Sequence, residues 1–218
     1  KDKPWLLRDK LPQVVSITCS CIPFTMENGT NFPFTNSKPY PHGDGMTSNN
    51  IELPDWTDVM VDLETTGTRP DRAAILQIGA VRFNLARQTV HGEDMFNRSL
   101  DIPPHRGWDE STREWWLNQK AGVLDDIMSR AEPHADVMSG FRDWSIKYPN
   151  LRFWAKPITF DFMFMSSYFH DHGYINPYHY RVARDVNSFV EALHYPAPIP
   201  EVERSDFGDA HKALNDAL

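Results

Sequence analysis

Four carboxylates and a histidine are distinguished by their neighbours: Asp62 and Glu64 in VMVDLETTG, Asp161 in ITFDFMF, and His211 and Asp216 in HKALNDAL. Each sits among apolar residues that would carry it into a folded interior, where an uncompensated carboxylate is strongly unfavourable. A divalent cation that gathers several of them removes that cost. Carboxylate oxygen and water suit Mg²⁺ and Mn²⁺, and a pair of such ions is a general device for hydrolysing phosphodiesters. Residues two apart on a strand point the same way, so Asp62 and Glu64 can serve one site if a single strand runs through both. A histidine side chain titrates near neutral pH, which suits it to take a proton from water. On one helix His211 and Asp216 would lie about 140° apart around the axis, so that one approaches the water while the other reaches an ion. Taken singly, each of these residues has a commoner use as a cap, an ion-pair partner or a surface side chain. The set is what points to metal.

Such a site needs strands and helices to assemble it. DVMVDLE reads as a core strand, TGTRPDRA as its turn and AAILQIGAVRFNL as a second strand, with Gly79 where a close approach is needed. Gly67 is expected to turn the chain with positive φ. A third strand around VHGEDMFNRSL completes a meander. DESTREWWLNQ has capping residues at its start and a helical apolar face that includes Trp115, Trp116 and Leu117. Adjacent helix positions diverge by about 100°, so at least one tryptophan belongs to the core while the other is a candidate for base stacking. Residues 121–130 and 134–147 are expected as amphipathic helices, LRFWA as a short strand, and FDFMFMSSYFHDHG as a helix ended at Gly173. His170 and His172 then form a polar helix end. ARDVNSFVEAL gives a strand end and a helix, and DAHKALNDAL a last helix. Arg184 is expected either to touch phosphate, with Arg181, or to pair with Asp185. Strands first, then helices alternating with strands, make an α/β pattern with a mixed sheet.

The 218 residues suffice for one sizeable domain with an appendage. Residues 24–54 are rich in Asn, Gly, Pro, Ser and Thr and poor in periodic hydrophobicity, so residues 1–54 read as an N-terminal extension or linker and 55–218 as the domain. Within the extension, LPQVVSITCSCIPF reads as one short strand. The chain opens on Lys1, read as a fragment or a processed product, and Met46 is a natural start for the domain. A net charge of -8 argues against adhesion to nucleic acid over a broad basic surface, while leaving room for a local groove. Two cysteines, Cys19 and Cys21, make no disulfide framework, and the expectation is a reducing, cytoplasmic setting. KDKPWLLRDKLPQVV does not read as a secretory signal, and no run of apolar residues in the sequence is long enough to be expected to cross a membrane. No internal repeat is found.

VDLETTG followed by ILQIGAVRFN, then the apolar-flanked FD of ITFDFMF and His-x4-Asp, resembles the DEDDh branch of the DnaQ-like 3'→5' exonucleases, on the ribonuclease H-like fold. The WDESTREWWLNQ segment and the WAKPITFDFMF form of the second motif are most similar to a phage and bacterial subgroup that includes phage exonuclease A and a mycobacterial exoribonuclease. The resemblance spans roughly residues 56 to 218 and implies a mixed β-sheet flanked by helices. It implies two divalent ions, Mg²⁺ or Mn²⁺: Asp62 bridging both, Glu64 and Asp216 on the ion that activates water, Asp161 on the ion at the leaving oxygen. His211 would be the general base. Thr65 and Thr66 would contact the terminal nucleotide, unless they only close the hydrogen bonding of the turn. The implied activity releases nucleoside 5'-monophosphates from the 3' end of single-stranded DNA or RNA. The alternative is a catalytically weak nuclease-like module that binds nucleic acid or a protein partner. A homo-oligomer stays open. Where the family carries a smaller, Gly-containing run before the second motif, this chain has AKPITFD, so Lys156 and Pro157 are expected to reshape that strand end. Leu218 follows Asp216 by two residues where the family's helix continues, which puts Asp216 on a last turn prone to fraying.

Overall fold

Val59, Val61 and Leu63 alternate with Met60, Asp62 and Glu64 along β1 (Asp58–Thr65), and this period of two sends the apolar set to one face of a sheet and the carboxylates to the other. The computed structural model describes residues 56–119, 121–148, 151–195 and 211–217. The short strand expected in LPQVVSITCSCIPF and the linker expected over 24–54 lie outside them.

β2 (Ile75–Asn84) pairs antiparallel with β1, setting Asp62 opposite Gly79 and Glu64 opposite Gln77. β3 (Thr89–Val90) and β4 (Phe96–Leu100) both pair antiparallel with β2, so the expected third strand arrives as two pieces. β6 (Arg152–Ala155) runs parallel to β1, and β7 (Ala183–Asp185) parallel to β6. A two-residue β5 (Ala131–Glu132), too short to show a pattern in sequence, adds parallel to β4. The sheet order is β5-β4-β2-β1-β6-β7. This is the mixed α/β sheet that the sequence implied.

On the apolar face, Val61, Leu63, Ile78, Ala80, Phe96 and Leu100 pack against α3 (His134–Ile146) and α4 (Ile158–Asp171) through Val137, Phe141, Phe164 and Tyr168. A second cluster joins Leu76 to Trp116 of α1 (Glu110–Leu117) and to Val123 and Ile127 of α2 (Val123–Ser129). α5 (Val186–His194) follows β7 directly, and α6 (Ala213–Ala217) lies on the carboxylate face of β1 and β2.

Buried charge pins the frame at a distance from the site. Asp58, at the start of β1, accepts hydrogen bonds from Arg152 Nε and Nη2, Trp154 Nε1 and the Thr57 hydroxyl, all at 2.6 Å. Burial works to raise its carboxyl, but those donors outweigh it and leave the pKa below the usual carboxylate value. Arg82 donates to Asp94 and to the Trp144 carbonyl, with its guanidinium 3.6 Å from the Trp144 ring centroid. No helix among the described residues is long and apolar enough to cross a membrane.

Candidate active site

Glu64 lies near the end of β1 with its side chain buried; Asp62, two residues back on the same face, is half-buried. A shift of register immediately after Glu64 ends the regular ladder and begins the turn. Asp161 arrives from the opposite direction in sequence. It occupies the first turn of α4, is 2 % exposed, and the backbone N–H groups of its own residue and of Leu63 on β1 favour its charged form. The peptide before Pro157 is cis, and Pro157 is the residue from which α4 departs.

His211 and Asp216 differ from expectation in how they are presented. α6 begins only at Ala213, and His211 stands before it in the left-handed region at φ 61, with its backbone N–H donating to Asp216 Oδ2 at 2.9 Å. The helical geometry that would separate the two side chains by about 140° therefore does not apply. The loop turns His211 back, and Glu64, His211 and Asp216 each offer a ligand atom within 4.8 Å of one another. The His211 ring meets Trp115 edge to face at a centroid separation of 4.8 Å.

Electrostatics favour a cation here. Burial, and then the charges of Asp216 and Asp161, push the Glu64 carboxyl up to about 8. Burial likewise raises Asp161 to about 7 against the two backbone N–H groups that favour its charged form. Two buried acids held this far above the ordinary range, beside a further carboxylate and an imidazole, form a donor set that a hard divalent ion fits.

Residues 57–218 match the 3'-5' exoribonuclease Rv2179c-like domain. The chain belongs to this Rv2179c-like family. No curated protein matches it in sequence. Among solved structures it is similar to E. coli exonuclease I in complex with a dT13 oligonucleotide, at 17% identity and TM-score 0.58 over 74% of this chain and 39% of that one. A structure of exonuclease I described as suggesting how processivity is achieved gives 17% identity and TM-score 0.57 over 74% and 38%. The zinc-bound form of the E. coli exonuclease I complex with single-stranded DNA gives 17% and 0.51 over 64% and 30%. This chain thus spans well under half the length of those proteins. At such identity the likeness shows the fold alone.

Within this Rv2179c-like domain, the turn after β1 is built more tightly than its sequence suggests. Thr65 Oγ1 donates to the Gly67 carbonyl at 2.8 Å; Thr66 Oγ1 donates to the Gly107 carbonyl at 2.7 Å and accepts from the Ala74 N–H at 2.7 Å. Gly67 does not adopt positive φ: the glycines that do, among the described residues, are Gly122 and Gly173. Space is the reason for a glycine at 67, since a Cβ there would come within 2.8 Å of Asp109 Cβ. Trp116 is in the core and donates Nε1–H to the Thr65 carbonyl at 3.0 Å, while Trp115 is 43 % exposed.

Arg184 donates to the carbonyls of Arg181 and Ala183 rather than to Asp185, and Asp185 caps both α4, through the Ile158 N–H, and α5, through Ser188. His172 ends α4 and bonds the Tyr168 carbonyl, the polar helix end expected.

Sequence reasoning missed the supporting residues. Arg106, with its side chain 1 % exposed, donates to the carbonyls of Pro70 and Ala73, to Ser167 and to Asp171, clamping the turn to α4. Lys212 pairs with Asp126 of α2 at 3.0 Å. Nothing local in a sequence marks such long-range pairs.

Proposed function

We propose that this domain hydrolyses single-stranded nucleic acid from its 3' end, releasing nucleoside 5'-monophosphates, with two divalent ions, Mg²⁺ or Mn²⁺, held by Asp62, Glu64, Asp161 and Asp216. The observation that carries the reading is the convergence of Glu64, His211 and Asp216 within 4.8 Å, next to a buried Asp161. Family membership supports it, and the family's own description makes RNA the first substrate to test. The exonuclease I structures of similar fold hold oligodeoxynucleotides, so single-stranded DNA is the second.

When bound, such ions lower the pKa of water and neutralise charge building on the phosphoryl oxygens. The chain's own groups do the rest. Glu64 and Asp161, whose carboxyls burial raises to about 8 and about 7 when nothing cationic is near, supply charge at the point where a cation arrives. His211 takes the proton from the attacking water, its ring steered by the edge-to-face contact with Trp115. Thr65 and Thr66 serve the terminal nucleotide by shaping the turn beneath it, because both hydroxyl protons are committed to backbone carbonyls.

Purified protein with Mn²⁺ and 5'-end-labelled single-stranded RNA or DNA should give a ladder shortening from the 3' end, with mononucleotides as product. Chelator should abolish it and fresh Mn²⁺ restore it. Cleavage of a circular single strand would overturn the exonuclease reading. Substrate binding without hydrolysis under any divalent ion would make the domain a nuclease-like binding module.

A further inference from the structure

We propose that Gln77 is a positioning residue of this centre: from β2 it holds the segment carrying His211 and Asp216 against the carboxylates of β1. The inference rests on the site proposed above and concerns a residue that touches neither substrate nor ion.

α6 is described over Ala213–Ala217. Like those of any helix, its first-turn N–H groups have no partner within the helix. Something outside must satisfy them. Gln77 lies directly opposite Glu64 in the β1–β2 register and is buried on the carboxylate face. Its Oε1 accepts from the Ala213 backbone N–H at 2.9 Å, both groups being buried. A side chain on a distant strand thereby performs the service that an N-cap residue performs from within a helix. Its Nε2 donates to Asn97 Oδ1 on β4 at 3.1 Å, which fixes the amide with its oxygen toward α6.

Gly79, two residues along on the same face, explains why the bond is that close. A Cβ at Gly79 would stand 2.2 Å from the Ala213 carbonyl carbon and the Leu214 nitrogen. The backbone of α6 therefore rests on the strand with no intervening side chain. Around that seat, the His211 N–H closes onto Asp216 and Lys212 reaches Asp126, so the segment from 211 to 216 is anchored on β2 and α2 as well as on itself. Losing the Gln77 acceptor strands a buried N–H and frees the backbone between the base and its neighbouring carboxylate.

The test uses the full chain with Gln77→Met, which fills the volume but accepts no hydrogen bond, and Gln77→Glu, which accepts and lets the Asn97 amide turn to donate. Mn²⁺ binding without substrate should weaken about tenfold in Gln77→Met, the scale seen when an outer-shell partner is lost. Its kcat should fall by about the same factor with KM little changed, and amide exchange should quicken in the peptide covering 211–217. Gln77→Glu should restore all three. Asn97→Ala, which leaves the amide free to rotate, should move them in the same direction by less and serves if Gln77→Met does not fold. Mn²⁺ affinity and exchange unchanged in a folded Gln77→Met would overturn the proposal, as would equal impairment of Met and Glu variants. A wild-type chain that binds Mn²⁺ yet hydrolyses nothing overturns the exonuclease reading instead, while the Mn²⁺ and exchange measurements still decide the role of Gln77.

Discussion

Burial raises the carboxyls of Glu64 and Asp161, and that shift has a sign that experiment can read. In the folded chain without metal, Glu64 holds its proton up to about pH 8, whereas its unfolded counterpart releases it near 4.5. Between those values the folded state binds more protons than the unfolded one, so stability falls as pH rises. The melting temperature in chelator should therefore drop from pH 5 to pH 8. Glu64→Gln should flatten that slope, and saturating Mn²⁺ should reverse the loss; a melting temperature that climbs over this range would refute the burial of these acids. Asp62→Asn removes charge from the carboxylate assigned to both ions. Turnover should fall on the order of 10³-fold or more with the melt intact, and wild-type rates would show that the carboxylate set is structural. His211→Ala should cut turnover about 10²-fold or more while Mn²⁺ still binds, because the imidazole is assigned to the water. Collapse of Mn²⁺ affinity would make His211 a ligand, which its 4.8 Å proximity to Glu64 and Asp216 allows geometrically. The acidic residues were legible because carboxylates in apolar runs are rare enough to demand a reason. The left-handed backbone of His211 was not, since no residue in HKALND signals it.

At the scale of elements, the sequence read well where an apolar run was long. The ten residues of β2, nearly all buried, declare themselves by apolar and β-branched content rather than by alternation, and the fourteen of α4 by an apolar run that ends before Gly173. The two-residue β5 does not, because tertiary contact and not propensity makes it, and the last helix expected in DAHKALNDAL is present as α6 but begins only at Ala213. Gly79 was legible as a place of close approach, though not what approaches. Gly79→Ala would drive a methyl group into the α6 backbone, and overpacking of this kind costs about 1–3 kcal/mol. The expected outcome is a modest fall in melting temperature with a disproportionate loss of activity, since the displaced element carries Asp216. Activity falling only in step with stability would mean that α6 tolerates displacement. The Arg106 clamp acts at the same scale on the turn after β1. Arg106→Met would leave Asp171 and two carbonyls without a buried donor, for which about 2–4 kcal/mol of destabilisation is expected by chemical denaturation.

The whole molecule brings together residues from three distant stretches because β1 sits at the centre of the sheet, antiparallel to β2 on one side and parallel to β6 on the other. The parallel pairing delivers the start of α4, with Asp161, to the same end of the sheet as Glu64; β2 offers the seat on which α6 returns. This order follows from the fold family more than from any local pattern, which explains why VDLETTG, ILQIGAV and FD had to be read together to be informative. Every residue of the proposed site falls within 57–218, the span that matches the family. If residues 1–45 are an extension, a chain shortened to begin at Met46 should fold, melt in one transition at the temperature of the full chain, and keep its metal-dependent activity on short single strands. The strand-like LPQVVSITCSC is the segment that would make this fail, because an added strand can cover a sheet edge that otherwise invites aggregation. Precipitation of the shortened chain, or a melt that broadens and shifts downward, would assign that segment to the domain and move the boundary from near Pro54 toward the start of the chain.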